Sequence, residues 1–528
     1  MSKTILTLLL PGLLLAGVVD TAWVRRYDGP RHGQDWATCL QVDSSGNVYV
    51  AGPSAADTGY ADLDYVVIKY RANGDLAWLR RRDIGGDDLP AAMAVDGRGN
   101  VYVTGVGAGR TATIKYDSIG RLVWLRTIGT QGAGNDLVLD GAGNVLLCGA
   151  TFRGQYECVT AKYRPNGETA WVRFFADGGN ALSTGPTGCV AVVGSYLDSV
   201  PRAHCLAFKY DSVGELLWVT RYVGSAEAEY LDYVAVDSWG SVIAAGSSIG
   251  EVTGLDYLTI KYSSQGETLW TRRYNGSAND RDEARALAVD WEGNVYVTGH
   301  SYNFPVSSDD YATIKYDAFG SEVWVRRYDS PYNDADAAYD LALDSAGNVY
   351  VTGRSRVATG MRYDYLTIKY SSQGDTLWTC RYDGPTHDND AARCVVVDGQ
   401  GNVYVAGSSE MGPGQLDIVT IKYVQSGAVV EGPAAPQVLP VLMVEPNPCR
   451  GRAVLTYIVG AEVRVGLVVR DVTGRRVRVM AEGRQPAGRH TLVWDLCDAA
   501  GCRVPAGVYL VELAANGRRS RLKIQVLD

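Results

Sequence analysis

Histidine, methionine and phenylalanine are scarce in this 528-residue chain, at five, six and six residues. So few histidines leave little material for general bases or for imidazole metal centres. No nucleophile elbow, no H-E-x-x-H zinc helix and no P-loop is read in it. Its ten cysteines include no C-x-x-C pair, which excludes a zinc ribbon. Positive charge is in deficit: 50 Lys and Arg stand against 59 Asp and Glu, a net charge of −9. That balance argues against a nucleic-acid surface, because following a phosphate backbone needs a basic stripe. Beyond residue 19 no run reaches the roughly 18 apolar residues that a membrane-spanning helix requires.

What is abundant is tyrosine, tryptophan and a repeat. Aromatics are dominated by 33 Tyr and 12 Trp, a usage that suits sheet surfaces. A Trp-led strand returns at Trp23, Trp78, Trp124, Trp171, Trp218, Trp270, Trp324 and Trp378, and a closing Lys-Tyr at Lys69, Lys115, Lys162, Lys209, Lys261, Lys315, Lys369 and Lys422. Between them lie an A-x-A-V-D-type strand and a G-N-V-Y-V-T-G strand. Each unit is therefore four short strands, one propeller blade. The chain enters the repeat in a Trp strand, Thr21 to Tyr27, and leaves it after Tyr423. If the A-V-D strand is innermost, blade 1 runs from Ala37 to about Arg82 and the eighth blade borrows residues 21–27, closing the ring by strand exchange.

Asp-x-x-Gly-Asn turns recur at Asp43, Asp96, Asp140, Asp344 and Asp398, with an Asp suited to accept turn amides and a Gly free to take positive φ. The turn Asp and the strand Lys are copied around the ring, so they read as structural. Unit four is worn, with Gly185 where the Asp belongs. The other connections are long, polar and variable, and binding usually resides on such loops. Several are acidic, so Asp282, Asp336 and Asp390 are candidate ligand-binding residues for a sugar or for a divalent cation such as calcium. The blander reading is a solvated acidic rim. His32 and His387, each after a Tyr-Asp-Gly-Pro loop, are metal candidates together with Asp35 and Asp390. Asp309-Asp310 is a weak carboxylate pair. No catalytic residue and no cofactor is assigned.

The strings G-N-V-Y-V-T-G, D-Y-x-T-I-K-Y and G-x-x-x-W resemble the bacterial SBBP β-propeller repeat, over about residues 21–424. That resemblance implies an extracytoplasmic all-β protein and no particular enzyme. The family is associated with seven blades, whereas eight units are counted here; eight is the reading and seven the alternative. Residues 1–17 fit a secretory signal peptide, 18–424 the propeller, 425–440 a Gly/Ala/Pro linker, and 441–528 a small β-sandwich of about seven strands. In that last part Pro446-Asn447-Pro448, Asp471-Val472-Thr473-Gly474-Arg475, Trp494-Asp495 and Pro505-Ala506-Gly507-Val508-Tyr509 resemble type IX secretion sorting domains and the related Ig-like domain of flagellar hook-capping proteins. The resemblance implies the secretion machinery as a partner, and delivery to the outer cell surface or the medium.

Cys497 and Cys502 flank a turn and could be bonded in an oxidising compartment. Cys148 and Cys158 are a second, weaker pair, while Cys39 and Cys394 read as small buried residues. The expectation is a secreted binding or structural propeller with a surface glycan or protein as ligand. The competing class is an extracellular polysaccharide hydrolase or lyase working on the long-loop face.

Overall fold

Turn chemistry builds each blade. In blade 1, Asp43 Oδ1 accepts the backbone amides of Ser45 and Asn47 at 2.9 Å, and Oδ2 accepts from the Tyr49 hydroxyl at 2.9 Å. Burial alone would raise the pKa of Asp43, yet the bonds from Asn47, Tyr49 and Ser45 hold it below the usual value. Gly46 follows at φ 76°, a conformation that favours glycine. In blade 4 the turn at Gly185 survives on backbone bonds, Gly185 N to Cys189 O and Gly188 N to Gly185 O.

The computed structural model describes residues 18–527 apart from 57–61, 198–201, 225–227, 251–252, 304–307, 332–333, 358–361, 427–440, 446–448, 460–462, 472–474, 486–487 and 516–517. The signal-peptide reading of 1–17, most of the linker, and the Pro446-Asn447-Pro448 string lie outside the described residues. Two compact units divide the chain, 1–428 and 429–528.

The first unit holds eight four-stranded antiparallel sheets, so the alternative of seven blades is set aside. Seven sheets are continuous in sequence. The eighth joins Val18–Tyr27 to Gln415–Ser426, Val403–Gly412 and Asp390–Val397, with Trp23 opposite Lys422. The expected strand exchange is present, in the same register as Lys69 opposite Trp78. Each blade's second and third strands are almost wholly buried, as sheets packed on both faces require.

A repeated latch joins neighbouring blades. Trp324 Nε1 and Lys315 Nζ of blade 6 both donate to Ser372 O of blade 7, at 3.2 and 3.0 Å, while Arg326 Nε donates to Gly374 O at 2.5 Å. Trp124, Lys115 and Arg126 make the same contacts to Pro165 and Gly167, and Trp23, Lys422 and Arg25 make them across the closure to Ala72 and Gly74. A Cβ on Gly374 would lie 2.9 Å from the Trp324 ring, so a side chain there would push the blades apart. At the junction of blades 7 and 8 the chain offers no such turn carbonyl. Gln425 substitutes: its Oε1 accepts from Lys369 Nζ at 2.6 Å and Trp378 Nε1 at 3.3 Å.

The second unit has a three-stranded sheet (Val441–Glu445, Ala453–Val459, Gly488–Trp494) and a four-stranded sheet (Arg476–Gln485, Val463–Asp471, Gly507–Ala515, Arg518–Val526). Fully buried Trp494 anchors its core, with Nε1 donating to Cys497 O at 2.9 Å.

Candidate functional site: the tunnel mouth and the blade seams

Five residues before each turn Asp, or its Gly185 counterpart, one residue of the innermost strand faces a special constraint. In six blades the pairing register slips there, at Ala91, Asn135, Asp232, Arg285, Tyr339 and Arg393. A bulge re-aims the side chain it carries. Thr38 and Asn180 stand at the same position in blades 1 and 4, whose inner strands are short (Cys39–Val42 and Ala181–Thr184). The ring of positions is uneven in chemistry: Thr38, Ala91, Asn135 and Asn180 are small and neutral, whereas Asp232, Arg285, Tyr339 and Arg393 are large or charged.

On that second side lies a cavity of about 350 Å³ lined by Trp36, Thr38, Tyr233, Arg285, Tyr339 and Arg393. Its walls are innermost strands of blades 1, 5, 6, 7 and 8, which places it in the central tunnel. Arg393 lies 4.4 Å from the Tyr339 ring centre and Arg354 5.8 Å from it, with Arg354 also 4.2 Å from Tyr363. Arg285 pairs with Glu283 through Nη2, while the Nε atoms of Arg285 and Arg354 are buried without a hydrogen-bond partner. Burial holds the Tyr233 hydroxyl up at about 12 and the His300 ring down at about 4, the latter beside Glu283 at 3.7 Å. Guanidinium donors over aromatic faces suit a planar anion or an acidic sugar ring.

Asp282, Asp336 and Asp390 do not form a solvated rim. They are 1%, 0% and 0% exposed and accept the backbone amides of Gly276, Ser330 and Gly384 at 2.6, 2.7 and 2.5 Å. Each caps the crossover from one blade's outer strand to the next blade's inner strand. Burial raises all three acidities' midpoints, Asp336 and Asp390 to about 6. Around two of them carboxylates gather. Among the described residues, four clusters have one ligand oxygen from each Asp within 4.8 Å of the others: Asp28, Asp35 and Asp417; Asp64, Asp83 and Asp88; Asp310, Asp329 and Asp336; Asp364, Asp383 and Asp390. Their members share three repeat positions: five residues before the Lys, five after the Trp, and the start of the next inner strand.

The histidines are not brought together. His32 Nδ1 lies 2.5 Å from Asp28 and His387 Nδ1 2.6 Å from Asp383, in different seams, with both rings about three-quarters exposed. Of Asp309 and Asp310, the first pairs with Arg281 outside and the second is buried against Arg327. All ten cysteines are free thiols, so neither suggested disulfide is formed. Gly246-Ser247-Ser248-Ile249-Gly250 has nucleophile-elbow spacing that escaped the sequence reading, but it lies along the paired strand Val242–Gly250 and Ser248 is fully buried. No strand-turn-helix exposes that hydroxyl. The bulge positions were missed because a bulge leaves no period-2 signature; their constant offset from the turn Asp is the signal that locates them.

Among known proteins, the chain is 21% identical over 415 residues to an uncharacterised WD repeat-containing protein of Acanthamoeba polyphaga mimivirus, covering 62% of this chain and 28% of that one. It therefore spans less than a third of that relative's length. Similar solved structures include a protein of unknown function from Dyadobacter fermentans (11% identity, 77% of this chain and 99% of that one, TM-score 0.39). PorZ, a surface component of the type-IX secretion system of Porphyromonas gingivalis, is another (11% identity, 97% and 100%, TM-score 0.22). Residues 269–305 match the family described as beta-propeller repeat, and residues 455–518 the FlgD Ig-like domain. The chain thus matches the SBBP beta-propeller repeat within blades 5 and 6 and the FlgD Ig-like domain in its second unit.

Proposed function

We propose that this protein is an extracytoplasmic propeller that binds an acidic saccharide at its tunnel mouth and performs no chemistry on it. The observation that carries the reading is the gathering of Arg285, Arg393, Tyr233, Tyr339 and Trp36 around one cavity. Arginine donors recognise carboxylates in plane, and aromatic faces stack on sugar rings. The C-terminal unit serves in this reading as the export signal, after removal of residues 1–17. A hydrolase or lyase on the same face needs a carboxylate or base open to substrate. Asp282, Asp336 and Asp390 are buried, and Tyr233 stays protonated at neutral pH.

The test is calorimetric titration of the full chain with oligogalacturonate and with a neutral galacto-oligosaccharide. Binding of the acidic ligand alone, weakened tenfold or more by Arg393→Ala or Tyr339→Ala, is expected. Equal affinity for both ligands, or indifference to both substitutions, would overturn the site. Turnover of either saccharide that vanishes with Asp282→Asn or Asp336→Asn would replace the binding module with an enzyme. For export, a chain lacking 441–528 should stay folded and fail to leave the cell; normal delivery would refute the sorting role.

A further inference from the structure

The four aspartate clusters lie on consecutive seams, between blades 6 and 7, 7 and 8, 8 and 1, and 1 and 2. Each draws its carboxylates from two adjacent blades and faces one arginine. Arg327 Nη2 meets Asp310 at 2.8 Å, Arg381 Nη1 meets Asp364 at 3.8 Å, Arg26 Nε meets Asp417 at 3.6 Å, and Arg81 Nε meets Asp64 at 2.6 Å. With all groups ionised, three carboxylates and one guanidinium leave two negative charges at each seam, carried by two buried aspartates and a more accessible third (half-buried Asp329, exposed Asp28, Asp83 and Asp383), with His32 and His387 beside the exposed member of two seams. Isolated buried charge of that size is not tolerated without a counter-charge.

A second feature points the same way. In every cluster at least one carboxylate oxygen is sealed from solvent and has no hydrogen-bond partner: Asp310 Oδ1, Asp390 Oδ1, Asp417 Oδ1 and Asp64 Oδ1. The residues that own these atoms are 1%, 0%, 2% and 7% exposed. Buried acceptors are normally satisfied, so orphans at all four seams, three of them five residues before the Lys and the fourth on Asp390 at the start of an inner strand, mark a missing positive partner. The ligands are all carboxylate oxygens, with no thiolate and no imidazole inside the clusters. A set of hard carboxylate oxygens selects calcium over the softer transition metals, and over magnesium, which gives up its water reluctantly.

From this geometry we propose that each of the four seams binds one divalent cation of the calcium type, bridging adjacent blades. At the closing seam Asp28 and Asp35 come from the chain's start and Asp417 from the last blade. An ion there staples the two ends of the ring, because whatever binds the closed form alone stabilises it.

The seam between blades 5 and 6 is a natural control. It keeps Asp256 and Asp282, each with an orphan Oδ1, but Asn275 stands where the second carboxylate belongs, and its amide donates to Asn279 at 2.9 Å. Between blades 4 and 5 the positions are His204, Val223 and Glu229, and Arg273 takes Glu229 directly at 2.8 Å.

The experiment is calcium titration of the chelator-stripped full chain, with bound metal counted by elemental analysis and thermal melts run alongside. Magnesium and sodium at equal ionic strength serve as comparison ions. Four calcium ions per chain and a melting temperature raised by roughly 5 °C or more are expected. Asp329→Asn, a half-buried position that spares the core, should lower the count to three. Asn275→Asp should raise it to five, a gain that misfolding cannot imitate. No calcium retained at millimolar concentration, an unchanged melt, or a count unmoved by both substitutions would overturn the proposal. These results are independent of saccharide binding at the tunnel.

Discussion

Two arcs of the same ring are built on one latch and filled differently at their seams. From blade 6 through the closure to blade 2 every seam holds an aspartate triad. Across blades 2 to 5 the same repeat positions hold Arg110 and Gly129, then Glu157 and Ala176, then His204, Val223 and Glu229. There, ion pairs such as Arg221 with Asp177 and Arg273 with Glu229 occupy the space. The Trp and Lys latch ignores this division, since Trp171 and Trp324 make the same contact to the following blade. Blade adhesion and seam charge are therefore separable. The first is a uniform requirement of closure; the second varies by arc.

The harshest way to break the comparison is to remove the clasp that closes the triad-bearing arc. Deleting Thr21 to Tyr27 strips the eighth sheet of its outer strand and takes Trp23 and Arg25 from the latch. A loss on the order of 5 kcal/mol or more is expected in urea denaturation, because buried aromatic packing and a whole ladder of hydrogen bonds go at once. An unchanged midpoint would show that the ring does not depend on closure.

Next comes the latch in each arc. Trp324→Ala and Trp171→Ala each vacate a site 6–7% exposed, and each should cost about 3–5 kcal/mol. Similar losses in both arcs would confirm a common latch. A much larger loss at Trp324 would mean that triad and latch act as one unit.

The arcs should separate in their response to pH. Asp310, Asp336, Asp364, Asp390 and Asp417 are pushed up to about 6, first by burial, above an ordinary value near 3.8. The folded state therefore binds more protons than the unfolded state between about pH 4 and 6, and stability falls as pH rises through that window. In the ion-free chain the melting temperature should be higher near pH 4.5 than near pH 7, against the facing charges of Arg26, Arg81, Arg327, Arg381, His32 and His387. Asp310→Asn with Asp417→Asn should flatten that slope. An equally steep slope in the double variant would place its source elsewhere.

The smallest effect is expected at the repeated polar residues. Lys315→Ala loses one bond to Ser372 O and a position 5.1 Å over the Tyr296 ring. Asp290→Ala loses acceptors for Glu292 N, Asn294 N and the Tyr296 hydroxyl. Each should cost about 1–2 kcal/mol in a thermal or denaturant melt. An effect confined to saccharide binding, with stability intact, would assign these residues to the ligand instead.

Much of this was readable along the chain. Alternation over four strands, Asp-x-x-Gly-Asn turns and the Trp phase specify blades, their order and the clasp. They do so because strand pairing and turns are decided by residues a few positions apart. The loops were readable as acidic, but the burial of Asp282, Asp336 and Asp390 on them was not. Burial of Asp282, Asp336 and Asp390 depends on a backbone amide six residues earlier, and on a neighbouring blade that no local pattern reports.

Sequence by itself determined the repeat, the number of units and the exchange of the first strand into the last sheet, since each follows from local hydrogen bonding and side-chain periodicity. The tertiary structure alone decided three other things. It turned the bulge residues Arg285, Tyr339 and Arg393 toward one tunnel. It set Gln425 in place of an absent turn carbonyl. It also assembled Asp28 and Asp35 with Asp417, nearly 400 residues away in sequence. Such proximity arises only when the blades pack radially and the ring closes, because carboxylates so far apart along the chain share no local geometry that would bring them together.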